Sequence, residues 1–575
     1  MKKSRFFTLG VFILAVGLVQ AFSRPLSEET VAGELGQTLD RYMKRAEANG
    51  YSGSVLAARG EEVILAKGYG WADRENKVPE TESTVFSIGS ITKQFTGAAV
   101  LKLEAAGKLS TSDALAKYFP DAPHDKAKIT LHQLLTHTAG FADALGDDYE
   151  PIGREDFVKR AMSSKLRFAP GARYQYSNVG FSLLGIIVEL VSGKGYEEYL
   201  RANLFQPAGM TRTGYLKPGF DKKDLAVGYR NDSRWGTALD RPWRPEGPGW
   251  HLRANGGILS TVGDMHRWYL ALKNNRIFPQ AVRAKYFAPH VREYPDGPSY
   301  YGYGWVTQKT ESGSTLVWHN GGNGIYNAFM GFDLDNDLVV IVSSNVSGKI
   351  SDGYAERILG MMTGRVKPLD ERTLAGKVGT YRFETGEEVA VAFDENDTLN
   401  ITYTAASLVS LLAGSGKEKA DETSACDVKA RTMIAGALAG DYAALASAWG
   451  EPLEEVKVRA VQYWGRMVKN LGQVKAVEAL GTADRPRNWL TYVRADFASG
   501  SRFFTCVWEK DGGLMADLRE AGSLERDFKP RTENEFVQPL IDAVVAFGPD
   551  AAGKTVLTIR KGGNPILRAT KMSSS

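Results

Sequence analysis

The sequence predicts an α+β protein with more than one domain, and three observations lead to this prediction. Strand-like stretches near both ends of the first 365 residues enclose mainly helical segments, as in an antiparallel sheet with helices inserted between its strands. After residue 370 the chain returns to short β-rich runs, and a stretch of helices and strands interrupts them. The length of 575 residues also exceeds that of one ordinary domain.

The chain begins with the three-part pattern of a secretory signal. Basic residues precede an apolar stretch from Phe6 to Val19, and small or neutral residues follow it. This stretch is shorter than the ~20 residues that cross a bilayer. We therefore expect residues 1–21 to be a signal peptide cut after Ala21, giving an exported protein, periplasmic or extracellular, without stable membrane insertion. An uncleaved membrane anchor is the alternative.

Residues 27–365 are predicted to form the first domain. Apolar residues at fourfold spacing up to Ala48 indicate an amphipathic helix, and the runs "SGSVLAA" and "EVILAKGYG" are typical of a hairpin. The segment Ser90–Ala106 is apolar on nearly every face and is followed by Gly107, which indicates a buried helix. Strand-like runs return in "STLVWHN", "NAFMGFDLD" and "LVVIVSSN".

The remainder of the chain is predicted to contain a discontinuous β-rich domain, formed by residues 370–405 and 534–573. An α+β insert domain is predicted over residues 422–528. Cys426 and Cys506 both fall in this insert, and we expect them to form a disulfide in an exported protein if their geometry allows it.

Composition and charge exclude several classes of function. The formal net charge is +4, and it would fall to +1 after loss of the signal peptide. No basic run with interleaved aromatic residues is present, so a nucleic-acid partner is not expected. No set of Cys, His, Asp or Glu has the spacing of metal ligands, and no Gly-rich loop ends in Gly-Lys-Ser/Thr. We therefore expect neither a metal nor another cofactor; protein partners stay open.

The first candidate for chemistry is the pair Ser90 and Lys93 in "SITK". Residues three apart share one face of a helix, so a lysine pressed among apolar neighbours could act as the base for a serine at the helix start. The alternative is that Ser90 only caps the helix and that Lys93 is a solvated charge.

Two further elements supply possible partners. In "YSN", Tyr176 and Asn178 would point the same way from an extended loop, offering a phenol for proton transfer and an amide for a substrate carbonyl. The alternative is a buried tyrosine beside a helix cap. In "HNGG", His319 would project from a strand into a cleft, and Gly321 and Gly322 would let a substrate backbone lie close.

The order and separation of "SITK", "YSN" and "HNG" resemble the serine β-lactamase and penicillin-binding-protein superfamily. The similar branch contains class C β-lactamases, soluble D,D-peptidases, D-aminopeptidases and related esterases. The resemblance covers roughly residues 30–365 and includes "LHQLLTHTAGF", "GGILSTVGDMHRW" and "YGYGW". The variation in "THTAG" is interpreted as belonging to the scaffold. The resemblance implies a β-lactamase/transpeptidase-like catalytic domain, an antiparallel sheet with a helical domain.

The resemblance also implies a role for each motif residue. Ser90 would be acylated, Lys93 would take its proton, and Tyr176 would relay protons to and from the leaving group. Asn178 would hold the amide of the acyl group. The N–H groups of Ser90 and Gly322 would form the oxyanion hole.

His319 stands where many members of the branch place lysine, which implies weaker recognition of a substrate carboxylate at neutral pH. The C-terminal part of the chain resembles the lipocalin-like β-barrel often appended to this branch. The implied function is an exported serine hydrolase without a cofactor, which acts through an acyl-enzyme on a peptide, possibly with D-amino acids, or on an ester. The alternatives are a β-lactamase proper and a non-catalytic penicillin-binding or sensing module.

Overall fold

The fold is described from a computed structural model. The structure describes residues 29–230, 232–310, 312–403, 408, 420–484, 488–510, 513–521, 524–538, 543–561 and 564–572. The predicted signal peptide lies outside these residues. The chain divides into two compact units, the first ending at Val366 and the second beginning at Lys367.

The first unit is built on an antiparallel sheet. Its strands, with three two-stranded ribbons beside the main sheet, are β1 (Thr30–Val31), β2 (Gly53–Arg59), β3 (Glu62–Tyr69), β4 (Trp71–Asp73), β5 (Val78–Pro79), β6 (Phe86–Ser87), β7 (Gly228–Arg230), β8 (Ser233–Gly236), β9 (Leu259–Ser260), β10 (Val291–Arg292), β11 (Ser299–Tyr301), β12 (Val306–Lys309), β13 (Thr315–Gly322), β14 (Asn327–Asp333) and β15 (Leu338–Ser344). In the described residues the main sheet has the order β1-β3-β2-β15-β14-β13-β12-β11-β10. The pairing of β2 with β15 joins the two ends of the unit, so the predicted layout is confirmed.

Helices fill the long connection between β6 and β10 and also flank the sheet. Those of the first unit are α1 (Gly33–Ala48), α2 (Thr92–Ala105), α3 (His124–Ala127), α4 (Leu131–Leu135), α5 (Arg154–Ser163), α6 (Asn178–Ser192), α7 (Tyr196–Leu200), α8 (Gln206–Ala208), α9 (Val262–Lys273), α10 (Gln280–Tyr286) and α11 (Ser351–Met362). Among them α2 is buried on nearly every face, and Gly107, with φ +67°, ends it in the left-handed conformation. The predicted buried helix is therefore confirmed.

The second unit contains a closed barrel. Its elements in chain order are α12 (Glu371–Ala375), β16 (Gly379–Phe383), β17 (Glu388–Phe393), β18 (Leu399–Tyr403), α13 (Ala420–Leu438), α14 (Ala443–Trp449), α15 (Leu453–Leu471), β19 (Val474–Asp484), β20 (Asn488–Phe497), β21 (Gly500–Glu509), β22 (Met515–Ala521), β23 (Leu524–Pro530), β24 (Glu535–Gln538), β25 (Ala543–Pro549), β26 (Thr555–Lys561) and β27 (Asn564–Lys571). In the described residues β16–β18 and β23–β27 form the barrel, which the pairing of β16 with β27 closes. The strands β19–β22 form a separate sheet.

The predicted end of the insert at residue 528 is wrong. Strand β23 pairs with β18 from Leu399↔Phe528 to Tyr403↔Leu524, and it therefore belongs to the barrel. A pairing across more than a hundred residues leaves no local signal in the sequence, because both sheets alternate apolar and polar residues in the same way.

The expected disulfide is absent from the structure, which holds Cys426 and Cys506 as thiols. Both belong to the apolar core that α13–α15 form with the sheet β19–β22. Burial raises the pKa of the Cys506 thiol to about 12, and the nearby Cys426 adds to this effect. The two residues are neighbours, as predicted, but they act as small apolar side chains of this core.

In the part of the chain that the structure describes, one bent pair of helices has the length and composition of a membrane span. Within the described residues, no single helix combines the length and the apolar character that crossing a bilayer requires. The pair Asn178–Ser192 and Tyr196–Ala208 meets these criteria together, by length and composition only, with a bend of 75° between its helices.

Glu80, which follows β5, is a buried carboxyl group with a consequence for stability. Glu80 is 3% exposed, and burial raises the pKa of its carboxyl group to about 8. The unfolded chain releases this proton near the ordinary pKa of 4.5. Folding therefore retains a proton between these values, so Glu80 lowers the free energy of unfolding as the pH rises through this window.

We predict that Glu80→Gln raises the unfolding midpoint at pH 8 and leaves it nearly unchanged at pH 4.5. The expected gain at pH 7 is roughly 3 kcal/mol, because the amide cannot ionise. Thermal unfolding followed at about pH 4.5, 7 and 8 measures these differences. The control Glu62→Gln changes an exposed carboxylate of β3 and should leave the pH dependence as in the unmodified protein. An equal fall in stability with pH in Glu80→Gln and in the unmodified protein would contradict this account.

Candidate active site

Ser90 lies at the turn between strand β6 and helix α2. Residues Gly89–Ile91 form a single 3-10 turn that leads directly into α2, and Gly89 has φ +51°. Lys93 follows one turn later, with its Nζ 3.0 Å from the Ser90 Oγ. The structure thus places the two residues of "SITK" in direct contact.

Lys93 is completely buried, at 0% exposure, and its Nζ has three hydrogen-bond partners. Besides Ser90, it donates to the Asn178 Oδ1 at 2.7 Å and to the backbone oxygen of Asn255 at 2.8 Å. The ring of Tyr176 lies 4.8 Å from the same nitrogen. Burial lowers the pKa of Lys93 to about 7, although Asp143 and Asp148 act in the opposite direction.

This set of partners determines what the amine does when it loses a proton. A neutral amine has two N–H bonds and one lone pair. The oxygens of Asn178 and Asn255 can only accept, so they take the two N–H bonds. The lone pair then faces the Ser90 hydroxyl, and Lys93 is arranged to accept its proton.

Tyr176 and Asn178 reach the same place from the start of α6. Ser177 caps this helix, because its side chain accepts a hydrogen bond from the Gly180 N–H. Burial raises the pKa of Tyr176 well above its ordinary value, while a hydrogen bond with Ser90 moderates the rise. The Asn178 Nδ2 donates to the Asp143 Oδ1 at 2.9 Å, which fixes the amide with its oxygen toward Lys93.

Two positioning groups have no counterpart in the sequence analysis. The Asn255 carbonyl is held because its side-chain amide donates to Ser182 and to the His251 carbonyl, each at 2.8 Å. The His137 ring packs against Tyr176 with 4.3 Å between ring centroids, and its Nδ1 accepts the Ser177 N–H. The "THTAG" stretch therefore supports the tyrosine directly. Only the glycine pair after Asn255 could have drawn attention to that carbonyl.

His319 is buried in the wall of a large cavity, with a partner for each of its ring nitrogens. The residue is 3% exposed. Its Nδ1 donates to the Asn320 carbonyl at 2.5 Å, and its Nε2 accepts from the Tyr301 hydroxyl at 2.9 Å. Burial lowers its pKa to about 3, with a further contribution from Lys93. With a pKa this low the ring is neutral at physiological pH, and it supports β13 and Tyr301. Its role in substrate binding stays a prediction.

The glycines of "HNGG" are explained by contact with the nucleophile's turn. A Cβ atom on Gly321 would lie 2.1 Å from the Ile88 oxygen and 2.7 Å from the Ser90 nitrogen. A Cβ atom on Gly89 would lie 2.4 Å from the Gly322 nitrogen. The end of β13 and the Ser90 turn therefore pack backbone to backbone, which brings Ser90 and Gly322 to the same cleft.

Two cavities adjoin the predicted site residues. A small cavity, of about 50 Å³, is lined by Ser90, Asn178 and Gly322 among others. A large cavity, of about 1100 Å³, is lined by Tyr176 and His319 and has several aromatic side chains in its wall. Further residues lining the large cavity are Arg173, Tyr174, Arg292, Glu293, Tyr294, Tyr301 and Trp318.

Comparison with known proteins relates this site to a family. The family model described as Beta-lactamase matches residues 35–360. The Bacillus subtilis protein named penicillin-binding protein PbpX is 30% identical over 328 residues, which cover 57% of this chain and 78% of that protein. Penicillin-binding protein 4* of B. subtilis is 28% identical over 315 residues, covering 52% of this chain and 69% of that protein.

A solved structure is similar to both units together. The octameric penicillin-binding protein homologue from Pyrococcus abyssi is 21% identical, with a TM-score of 0.53, and the match covers 93% of this chain and 99% of that chain. This likeness concerns the fold. From the family model, which spans more than half of the sequence, we conclude that the chain belongs to the beta-lactamase family of serine hydrolases.

Proposed function

We propose that this protein hydrolyses a peptide or ester through an acyl-enzyme formed on Ser90. The observation that carries the proposal is the contact of 3.0 Å between the Lys93 Nζ and the Ser90 Oγ, in a site where both other partners of Nζ are carbonyl oxygens. The substrate is a small molecule or a peptide. We also propose that the protein is exported after cleavage at Ala21 and that its barrel is lipocalin-like.

The residues divide the reaction between them. Neutral Lys93 accepts the Ser90 proton as Oγ attacks the substrate carbonyl, and the N–H groups of Ser90 and Gly322 stabilise the oxyanion. Tyr176 passes a proton to the leaving group, and a water molecule then cleaves the acyl ester by the reverse sequence. The second N–H of the Asn178 amide remains available for a carbonyl of the acyl group.

Acylation by penicillin is the second candidate, because two relatives are named penicillin-binding proteins. Two observations weigh against strong binding of its carboxylate. His319 is neutral, and the neighbouring Asn320 donates its amide to Asp352 at 2.6 Å, which places a carboxylate next to β13. A β-lactamase proper would in addition need rapid deacylation.

We predict that a fluorophosphonate labels the unmodified protein once and leaves Ser90→Ala unlabelled, because only an activated serine reacts. Intact-mass analysis measures the adduct. The unfolding midpoint of Ser90→Ala serves as the control for folding. Equal labelling of both proteins would remove Ser90 from the mechanism.

The labelling rate should rise with pH through about 7, because Lys93 acts only after losing its proton. Below about pH 7 we expect roughly a tenfold loss per pH unit, and above about pH 8 a plateau. The rate constant for fluorophosphonate labelling between pH 5.5 and pH 9, roughly, measures this dependence. A rate that does not change across this range is incompatible with Lys93 as the base.

Gly321→Ala should reduce the labelling rate at least about tenfold, because the new Cβ would force β13 away from the Ser90 turn. The measurement is the same rate constant at about pH 8. Gly353→Ala is the control, since a Cβ there meets open space on α11. Equal rates in the two variants would show that the close approach of β13 has no catalytic importance.

A further inference from the structure

Helix α15 exposes apolar side chains on the side that faces away from its own core. The buried side of this helix packs into the apolar core that it shares with the sheet β19–β22, through Val456, Ala460, Trp464 and Met467. On the other side Val458 is 80% exposed and Val461 is 54% exposed. Val458 is the most exposed of the large apolar side chains in the described residues. Exposed valines one turn apart on one face indicate a contact surface.

A row of exposed residues runs along this face. Its members, at spacings of three and four residues, are Glu455, Val458, Gln462, Gly465 and Lys469. This spacing places the five residues on one face of the helix. The row, which we call the α15 row, begins with a negative charge, ends with a positive charge and has Gln462 at its centre.

The two charges at the ends of the α15 row are not used within the fold. The side chains of Glu455 and Lys469 make no hydrogen bond or ion pair with any described residue. Glu454, next to Glu455, pairs instead with Lys457 at 2.8 Å. Both ends of the row are therefore available to charges outside the chain.

Gly465 has no packing reason within the described chain. A Cβ atom at this position would meet open space. Glycine in the interior of a helix is less favourable than alanine, because its backbone loses more freedom on folding. A glycine on an exposed helix face does, however, leave a gap into which a side chain of a second helix can fit.

We propose that the α15 row is the contact between two copies of this protein, which pair antiparallel about a two-fold axis near Gln462. Glu455 and Lys469 each lie two helical turns from Gln462, so the acidic end of each row faces the basic end of the other. Val458 of each copy lies against the gap at Gly465 of the other copy. The two Gln462 amides meet at the axis, where each can donate and accept. A parallel pair would instead bring like charges together at both ends.

The size of the contact determines its strength. A helix of 19 residues is about 28 Å long, so one helix from each copy forms a small interface compared with that of a permanent dimer. We therefore expect a reversible dimer with a Kd in the micromolar range. No residue of the α15 row belongs to the candidate active site, so failure of this proposal would leave the proposed function unaffected.

Sedimentation velocity of the full chain between about 1 and 300 µM tests the dimer, and we expect a shift from monomer to dimer across this range. Val458→Asp should raise the Kd at least about tenfold, because it places a charge in the apolar centre of the contact. Val428→Asp is the matched control, since Val428 is 55% exposed on α13, outside the α15 row. A monomer at every concentration would overturn the proposal and leave this face to a different partner. A dimer that Val458→Asp does not weaken would also overturn it.

Charge reversal tests the antiparallel orientation. At low salt, Glu455→Lys and Lys469→Glu should each weaken self-association at least about threefold, because like charges then face each other. An equimolar mixture of the two variants should associate about as strongly as the unmodified protein, since every facing pair again has opposite signs. The unfolding midpoints of both variants control for folding. A mixture that associates no better than either variant alone would contradict the antiparallel pairing.

Discussion

The active site depends on one buried amine. Lys93 is completely buried, and the groups around its Nζ are two carbonyl oxygens and one hydroxyl. Desolvation brings its pKa near 7, so the neutral form is accessible without a neighbouring base. The fixed acceptors then direct the lone pair. Burial lowers the pKa of Lys93, and the two carbonyl acceptors orient its lone pair toward the Ser90 hydroxyl.

The remaining architecture keeps that arrangement rigid. Helix α2 is buried on nearly every face, which holds Lys93 in place. The close approach of β13 to the Ser90 turn is possible only because Gly89 and Gly321 lack side chains. Helix α6 adds Tyr176 and Asn178 through a capped N-terminus. Ser90, Asn178 and the Asn255 carbonyl, from three segments far apart in the sequence, thus meet within hydrogen-bond distance of one nitrogen.

The sequence predicted those parts of the site that local patterns encode. The spacing of Ser90 and Lys93 on a helix and the sheet formed from both ends of the first unit needed only periodicity and motif order. The Asn255 carbonyl and the support from His137 were missed, because backbone groups and ring packing depend on folding around distant residues. The hydrogen bond between His319 and Tyr301 was missed for the same reason, because Tyr301 lies on another strand. The sequence analysis did not assign strand β23 to the barrel, because β23 pairs with a strand far away in the sequence.

The central claim is that Lys93 is half-deprotonated near neutral pH. Its most direct test is an NMR titration of the protein labelled with ¹³C at the lysine Cε, with the Lys93 signal assigned by its loss in Lys93→Arg. The account predicts one lysine signal with a midpoint at about pH 7, well below the ordinary value of 10.5. A Lys93 signal that titrates at the ordinary value would contradict it.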